Sequence, residues 1–150
     1  MNQCQKDTKM YLVVDVNVVI SSLLSQGDSF EVFALNKIFN KFDFVAPEFL
    51  LIEFEKHKKE IIRRSKLEKG KAQEVIDFII GEITFVPDSQ FRDKLEEARE
   101  ILKDHEKDVP YLALALKLNC EIFSGDKVFK AICKDRVKNP KEILEVFYGR

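Results

Sequence analysis

The chain has 150 residues, 45% of them hydrophobic and 34% charged, with a net charge of −1. That length suits one domain with a real core, and the balanced charge excludes a globally basic nucleic-acid binder, leaving only local patches for such contacts. Three cysteines (Cys4, Cys120, Cys133) with no C-x-x-C spacing exclude a disulfide framework or zinc knot, and no apolar run is long enough to span a bilayer.

With a polar N-terminus that lacks a signal-peptide core, these features predict a cytoplasmic protein without membrane contact. Residues 1–10 read as a polar tail and residues 11–150 as one domain. Residues 11–16 are rich in β-branched side chains and apolar on both faces, as in a buried parallel strand. "VVISSLL" opens a short helix, and "DSFEVFALNKIFN" a second one. Its N-cap is Asp28 or Ser29, and Phe30, Phe33, Ala34 and Ile38 share its inner face. "FDFVA" is the next strand. Pro47 opens a long helix through Arg64, and "KAQEVIDFII", reached through the breaker Gly70, is another. "EITFV" is a strand, "SQFRDKLEEAREIL" and "VPYLALALKL" are helices, and "CEIF" is a fourth strand. "DKVFKAICK" is helical, "RVKN" is a short fifth strand, and "PKEILEVFY" is a closing helix. Strands alternating with helices predict a three-layer α/β/α domain around a mainly parallel sheet of four to five strands.

Several acids fit this frame poorly as ordinary surface residues. Asp15 ends the first strand among valines, with Asn17 two residues on, and Asp126 follows the fourth strand. Ligands of open parallel sheets gather beyond the carboxyl ends of the strands, so the two acids can share one crevice. Glu53 lies on the helix face of Phe49 and Leu50 and so turns partly inward. His57, one turn further, reads as its ion-pair or hydrogen-bond partner. Asp108 lies at a helix start, where the dipole favours its ionised form and a plain capping role also accounts for it. Asp104 and Glu106 are rival acids beside it. Four carboxylates in one crevice repel unless a cation compensates them. An oxygen-only cage without His or Cys suits Mg²⁺ or Mn²⁺ better than Zn²⁺. Two such ions can activate water for phosphodiester hydrolysis.

"VVDVNVVISSLL", "APEFLLIEFEKH", "KDVPYLALALKLNCEIFSGDKVF" and "VKNPKEIL" together resemble the ordered motifs of PIN-domain nucleases across residues 10 to 147. VapC-type toxins of toxin–antitoxin pairs are small members of that family. The resemblance implies that Asp15, Glu53, Asp108 and Asp126 hold Mg²⁺ or Mn²⁺. It implies that Asn17 orients an acid or a water and that Ser124 hydrogen-bonds near the site. The implied activity is endoribonuclease cleavage of single-stranded or looped RNA, with an antitoxin protein and a homodimer as implied partners. Val16 stands where the family commonly has a small polar residue, and its side chain is expected to point away from the site.

The segment "KHKKEIIRRSKLEKGK" carries Lys56, Lys59, Arg63 and Arg64 as candidate RNA-backbone contacts, although a solvated helix end has the same composition. The 13 Phe residues read as core filling rather than base-stacking platforms. Two other functions fit part of the sequence. A phosphatase of the haloacid dehalogenase type also begins with a strand and an Asp, but it needs a second Asp where Asn17 stands. A non-catalytic RNA-binding or scaffold module could keep the fold without using the acids.

Overall fold

A computed structural model describes residues 9–149. The elements are β1 (Met10–Val14), α1 (Val16–Ser25), α2 (Asp28–Phe39), β2 (Phe42–Pro47), α3 (Phe49–Ser65), α4 (Lys69–Gly81) and β3 (Ile83–Val86). They continue with α5 (Leu95–Leu102), α6 (Val109–Leu118), β4 (Glu121–Phe123), α7 (Lys127–Ile132), β5 (Val137–Lys138) and α8 (Pro140–Tyr148). All five strands are parallel, in the order β3-β2-β1-β4-β5. The predicted α/β/α architecture is therefore the observed one.

Parallel strands need crossovers, and crossovers are right-handed because of strand twist. Steps from β1 outward to β3 thus lay helices on one face. Steps from β3 back to β4 and on to β5 lay them on the other. The helix contacts agree. On one side α1 packs on α2, α3 and α4, and α8 packs on α2. On the other, α6 lies over β1, β2 and β4 with α5 against it. Strand β1 is central, and Leu12, Val13 and Val14 are buried with both faces covered. That is why its sequence is an unbroken apolar run. Phe33 of α2 meets Phe44 edge-on at 5.0 Å and Phe123 at 5.7 Å, which clamps α2 over the sheet.

The strand order reverses beside β1, since β1 goes on to β2 on one side and pairs with β4 on the other. At that point the two outgoing connections diverge and leave a crevice past the carboxyl ends of both strands.

Several local expectations are corrected. Met10 already belongs to β1, so the strand begins on the last residue of the predicted tail; residues 1–8, including Cys4, lie outside the described part. Cys120 and Cys133 are free thiols. Helix α2 buries Ser29, Val32, Phe33 and Asn36, whereas Ile38 is 73% exposed. The inner face is rotated because Asn36 is drawn in by hydrogen bonds. The N-cap position of α2 is Gly27, and Asp28 sits in its first turn. Pro47 ends β2 rather than opening α3, pairing in register with Val86 of β3. Gly70 lies inside α4 rather than breaking before it. The stretch from Asp88 to Lys94 forms two 3₁₀ turns before α5 begins, which lets Phe91 plug the core. Phe39 is 56% exposed, an exception to core filling among the Phe residues.

Asn36, 4% exposed, closes the α2–β2 connection. Its amide donates to the Phe42 carbonyl at 3.0 Å, and its Oδ1 accepts from the backbone N–H groups of Lys41 (3.0 Å) and Phe42 (2.9 Å). Truncation leaves buried backbone groups at the start of a sheet strand without partners. Asn36→Ala is expected to lower unfolding free energy by about 3 kcal/mol in urea titration; a loss under about 1 kcal/mol would mean water replaces the side chain at little cost.

Candidate active site

The crevice beside β1 holds a cavity of about 250 Å³, and its walls include Asp15, Glu53, Asp108 and Asp126 together with Asn17 and Tyr111. Each arrives from a different element for a local reason. Asp15 follows β1 and caps α1, its Oδ1 accepting the Asn17 N–H at 3.4 Å. Its other oxygen accepts from the Ser124 hydroxyl at 2.7 Å. Ser124 is itself buried, just past β4, and its Oγ accepts the Asp126 N–H at 3.1 Å. Asn17 Oδ1 accepts the Gly125 N–H at 3.1 Å. The loop 124–126 is therefore tied to the start of α1 from two sides, and the two acids at the strand ends are held in one frame.

Asp126 caps α7, its Oδ1 accepting from Val128 (2.9 Å) and Phe129 (3.1 Å). Asp108 stands at the N-cap position of α6, yet its side chain makes no capping hydrogen bond there. It lines the cavity instead, whereas neither Asp104 nor Glu106 does, and Glu106 pairs with Arg99 at 3.2 Å. Glu53 is half-buried on α3, and its Oε1 accepts from the Tyr111 hydroxyl at 2.6 Å. His57 lines the cavity, but the partner of Glu53 is Tyr111 of α6 and not His57. Val16 also contributes to the cavity wall, contrary to expectation.

Tyr111 was not among the residues singled out by sequence. It sits in the apolar run of α6 and is 1% exposed. A buried phenol needs a hydrogen-bond partner, so a tyrosine in that run is itself a signal for a nearby acceptor. Lys107, exposed at the cavity wall, was also missed, because its neighbourhood in sequence is simply charged. The candidate RNA-contact residues Lys56, Lys59, Arg63 and Arg64 are exposed along α3 and do not line the cavity; Arg63 is paired with Glu60.

The electrostatics follow from the burial. Desolvation pushes the Asp15 carboxyl up to about 7, with the charges of Asp108 and Glu53 adding to it and the Ser124 and Asn17 hydrogen bonds opposing. Desolvation also raises Asp108 to about 6, with Asp126 and Glu53 adding. Burial and like charge therefore act against the ionised form of Asp108 that the helix start was expected to favour. Desolvation, then the bond to Glu53, pushes the Tyr111 hydroxyl far up, so it serves as a donor throughout the working range. The cavity thus concentrates carboxylates that resist ionising together, the condition in which an added cation gains most. Among the described residues no group of three or more His, Cys, Asp or Glu side chains is close enough to grip a bare ion as placed. The donor set, all hard oxygen, and the cavity volume fit a hydrated Mg²⁺ or Mn²⁺, which keeps several of its waters.

A PIN domain family model matches residues 13–140. Among solved structures, the chain is similar to one in the crystal structure of VapBC2 from Rickettsia felis bound to a DNA fragment from their promoter. The TM-score is 0.66 at 14% identity, over 87% of this chain and 98% of that one. Comparison with curated protein sequences found no match.

Asp15 binds its proton more tightly in the folded protein than in the unfolded chain, because its folded pKa is raised. Between pH 4 and 7 the native state therefore holds more protons, and stability falls as pH rises through that window. Asp15→Asn removes the titration and keeps the cap. In EDTA the variant is expected to gain stability over the natural protein as pH rises from 4 to 7, by on the order of 4 kcal/mol at full shift. Denaturation at each pH measures this, and a difference that stays flat with pH counts against the burial argument.

Proposed function

The chain belongs to the PIN domain family, and on that premise we propose that it is a Mg²⁺- or Mn²⁺-dependent endoribonuclease that hydrolyses phosphodiester bonds of single-stranded or looped RNA. The observation that carries the reading is the shared cavity of Asp15, Glu53, Asp108 and Asp126 at the point where the strand order reverses. In this reading those four residues hold the cation. A divalent ion bound there supplies an activated water and positive charge against the phosphate.

The chain's own groups do the rest. Ser124 and Asn17 hold Asp15 and the 124–126 loop in place through the bonds described above. Buried Asp15 and half-buried Asp108 are acids whose ionised forms are disfavoured until a positive charge arrives, so cation binding and their deprotonation are coupled. Lys107 at the cavity wall attracts the phosphate, and the apolar wall of Val16 and Ile20 limits bulk water on that side. Lys56, Lys59, Arg63 and Arg64 carry the strand's flanking phosphates along α3.

A role as the toxin of a toxin–antitoxin pair is part of the same proposal, as are an antitoxin partner and a homodimer. The likeness to a VapBC complex supports it, and exposed Ile38 and Phe39 at the end of α2 provide apolar surface for a protein contact. Among the described residues no group of three or more His, Cys, Asp or Glu side chains is placed to hold a bare ion, and this favours a second reading, a non-catalytic RNA-binding module. Such a module has no use for a cation in the crevice.

Incubation with mixed RNA is expected to give cleavage in Mn²⁺ and none in EDTA. Asp15→Asn is expected to cut the rate by at least about 100-fold, the upper end of what losing an outer-shell partner causes. Full Mn²⁺-dependent cleavage by that variant overturns the assignment. Adding Lys56→Ala, Lys59→Ala and Arg64→Ala to Asp15→Asn should flatten the salt dependence of RNA binding. The slope of log affinity against log salt falls by about 2 if each side chain meets one phosphate of a single strand. An unchanged slope places the RNA elsewhere.

A further inference from the structure

Metal-binding carboxylates are commonly oriented by outer partners, and those partners affect which ion a site prefers. Here three of the four cavity acids each have an oxygen already engaged by a protein donor. Ser124 donates to Asp15 Oδ2 at 2.7 Å, two backbone N–H groups donate to Asp126 Oδ1 at 2.9 and 3.1 Å, and Tyr111 donates to Glu53 Oε1 at 2.6 Å. The Tyr111 bond differs from the other two. Asp15 and Asp126 are short side chains held by the backbone turns they cap. Glu53 is long, half-buried and projects from α3, and Tyr111 belongs to α6 on the opposite side of the sheet. The phenol therefore reaches across the carboxyl end of the sheet to hold a long side chain that projects from another helix. Tyr111 is 1% exposed and its ring packs against Phe49 at 6.3 Å, so its hydroxyl is itself held rigidly.

We propose that Tyr111 is a positioning residue that engages Glu53 Oε1 and so makes Glu53 a one-oxygen ligand, biasing the site toward small octahedral cations and against Ca²⁺. Ca²⁺ takes six to eight oxygens and draws on carboxylates that bind through both. Mg²⁺ and Mn²⁺ suit one oxygen from each of several acids, with water completing the shell. With one lone pair of Oε1 taken by the phenol, chelation of a large cation through both Glu53 oxygens competes with a buried hydrogen bond. Removing the phenolic oxygen frees the second carboxylate oxygen and restores the rotational freedom of Glu53. The inference rests on the proposed cation site but not on the identity of the nucleic acid cleaved.

The test is calorimetric titration of Mn²⁺, and of Mn²⁺ in competition with Ca²⁺, into the metal-free natural protein and Tyr111→Phe, each also assayed for RNA cleavage. Tyr111→Phe is expected to weaken Mn²⁺ binding about 10-fold or more, to narrow the Mn²⁺ over Ca²⁺ preference, and to leave the far-ultraviolet spectrum unchanged. Equal Mn²⁺ affinity and equal preference in the two proteins overturn the inference, even where both cleave RNA. A natural protein that binds Mn²⁺ with the expected preference but cleaves nothing overturns the nuclease reading and leaves this one standing. A natural protein that does not bind Mn²⁺ overturns both. Should Tyr111→Phe fail to fold, the double variant Tyr11→Phe, Tyr148→Phe leaves Tyr111 as the one tyrosine in a chain without tryptophan. Its absorbance near the tyrosine maximum is then expected to shift on Mg²⁺ addition, as charge is withdrawn from the carboxylate it donates to. Mg²⁺ binding without a shift overturns the proposal.

Discussion

A carboxylate that is 5% exposed is costly to ionise, and Asp15 has Asp108 and Glu53 close enough to make it costlier. Packing alone would put an apolar residue at the end of β1, as the valines before and after it show. The chain instead keeps an acid there and surrounds it with groups that favour its charged form, the Ser124 hydroxyl and the Asn17 amide. These donors do not cancel the burial, and Asp15 remains raised to about 7. The resulting pocket has a deficit of positive charge that its own side chains do not fill. The rest of the functional edge depends on that deficit, because it makes the crevice a place for a cation and thence for a phosphate.

The fold arranges this with little specialised structure. Each cavity acid sits at the entry of a helix or one turn inside it. Asp15 and Asp126 satisfy helix N–H groups as well as facing the crevice, so the same carboxylate shapes the backbone and charges the site. Asp108 occupies the corresponding place on α6 without making the capping bond. The reversal of strand order beside β1 brings these helix starts together. Tyr111 joins the two helical layers across the same edge, which couples the placement of Glu53 to the packing of α6. A change in core packing on either face of the sheet can therefore reach the acids.

Much of this was legible in the residues. The unbroken apolar run before Asp15 reads as a central parallel strand because such a strand has no solvated face. "VPYLALALKL" reads as a helix and is one over the same residues, since both faces of α6 are apolar and Pro110 suits its first turn. Glu53 reads as inward from its spacing to Leu50, and it does line the cavity. The errors arise where one strong local interaction outweighs periodicity. Asn36 turns α2 by drawing its amide into the core, so Ile38 faces out. Pro47 stays in β2 because the pairing of β2 with β1 ends at Val45, so no ladder hydrogen bond is lost at the proline nitrogen. The dipole at the start of α6 suggested an ionised Asp108, but burial, and after it the acids Asp126 and Glu53, push it the other way.

From the order of residue types alone come the alternation of strands and helices, the buried first strand, and the set of acids out of place on a surface. These are local matters, because period and composition are properties of a few consecutive residues. Which acid beside α6 enters the crevice, that Glu53 is held by a phenol 58 positions away rather than by His57, and that Ser124 stabilises Asp15 across 109 positions were decided only in three dimensions. Hydrogen bonds and desolvation act over a few ångströms of space. The chain sets those distances only when the sheet order is complete and separate helix starts arrive at the same edge.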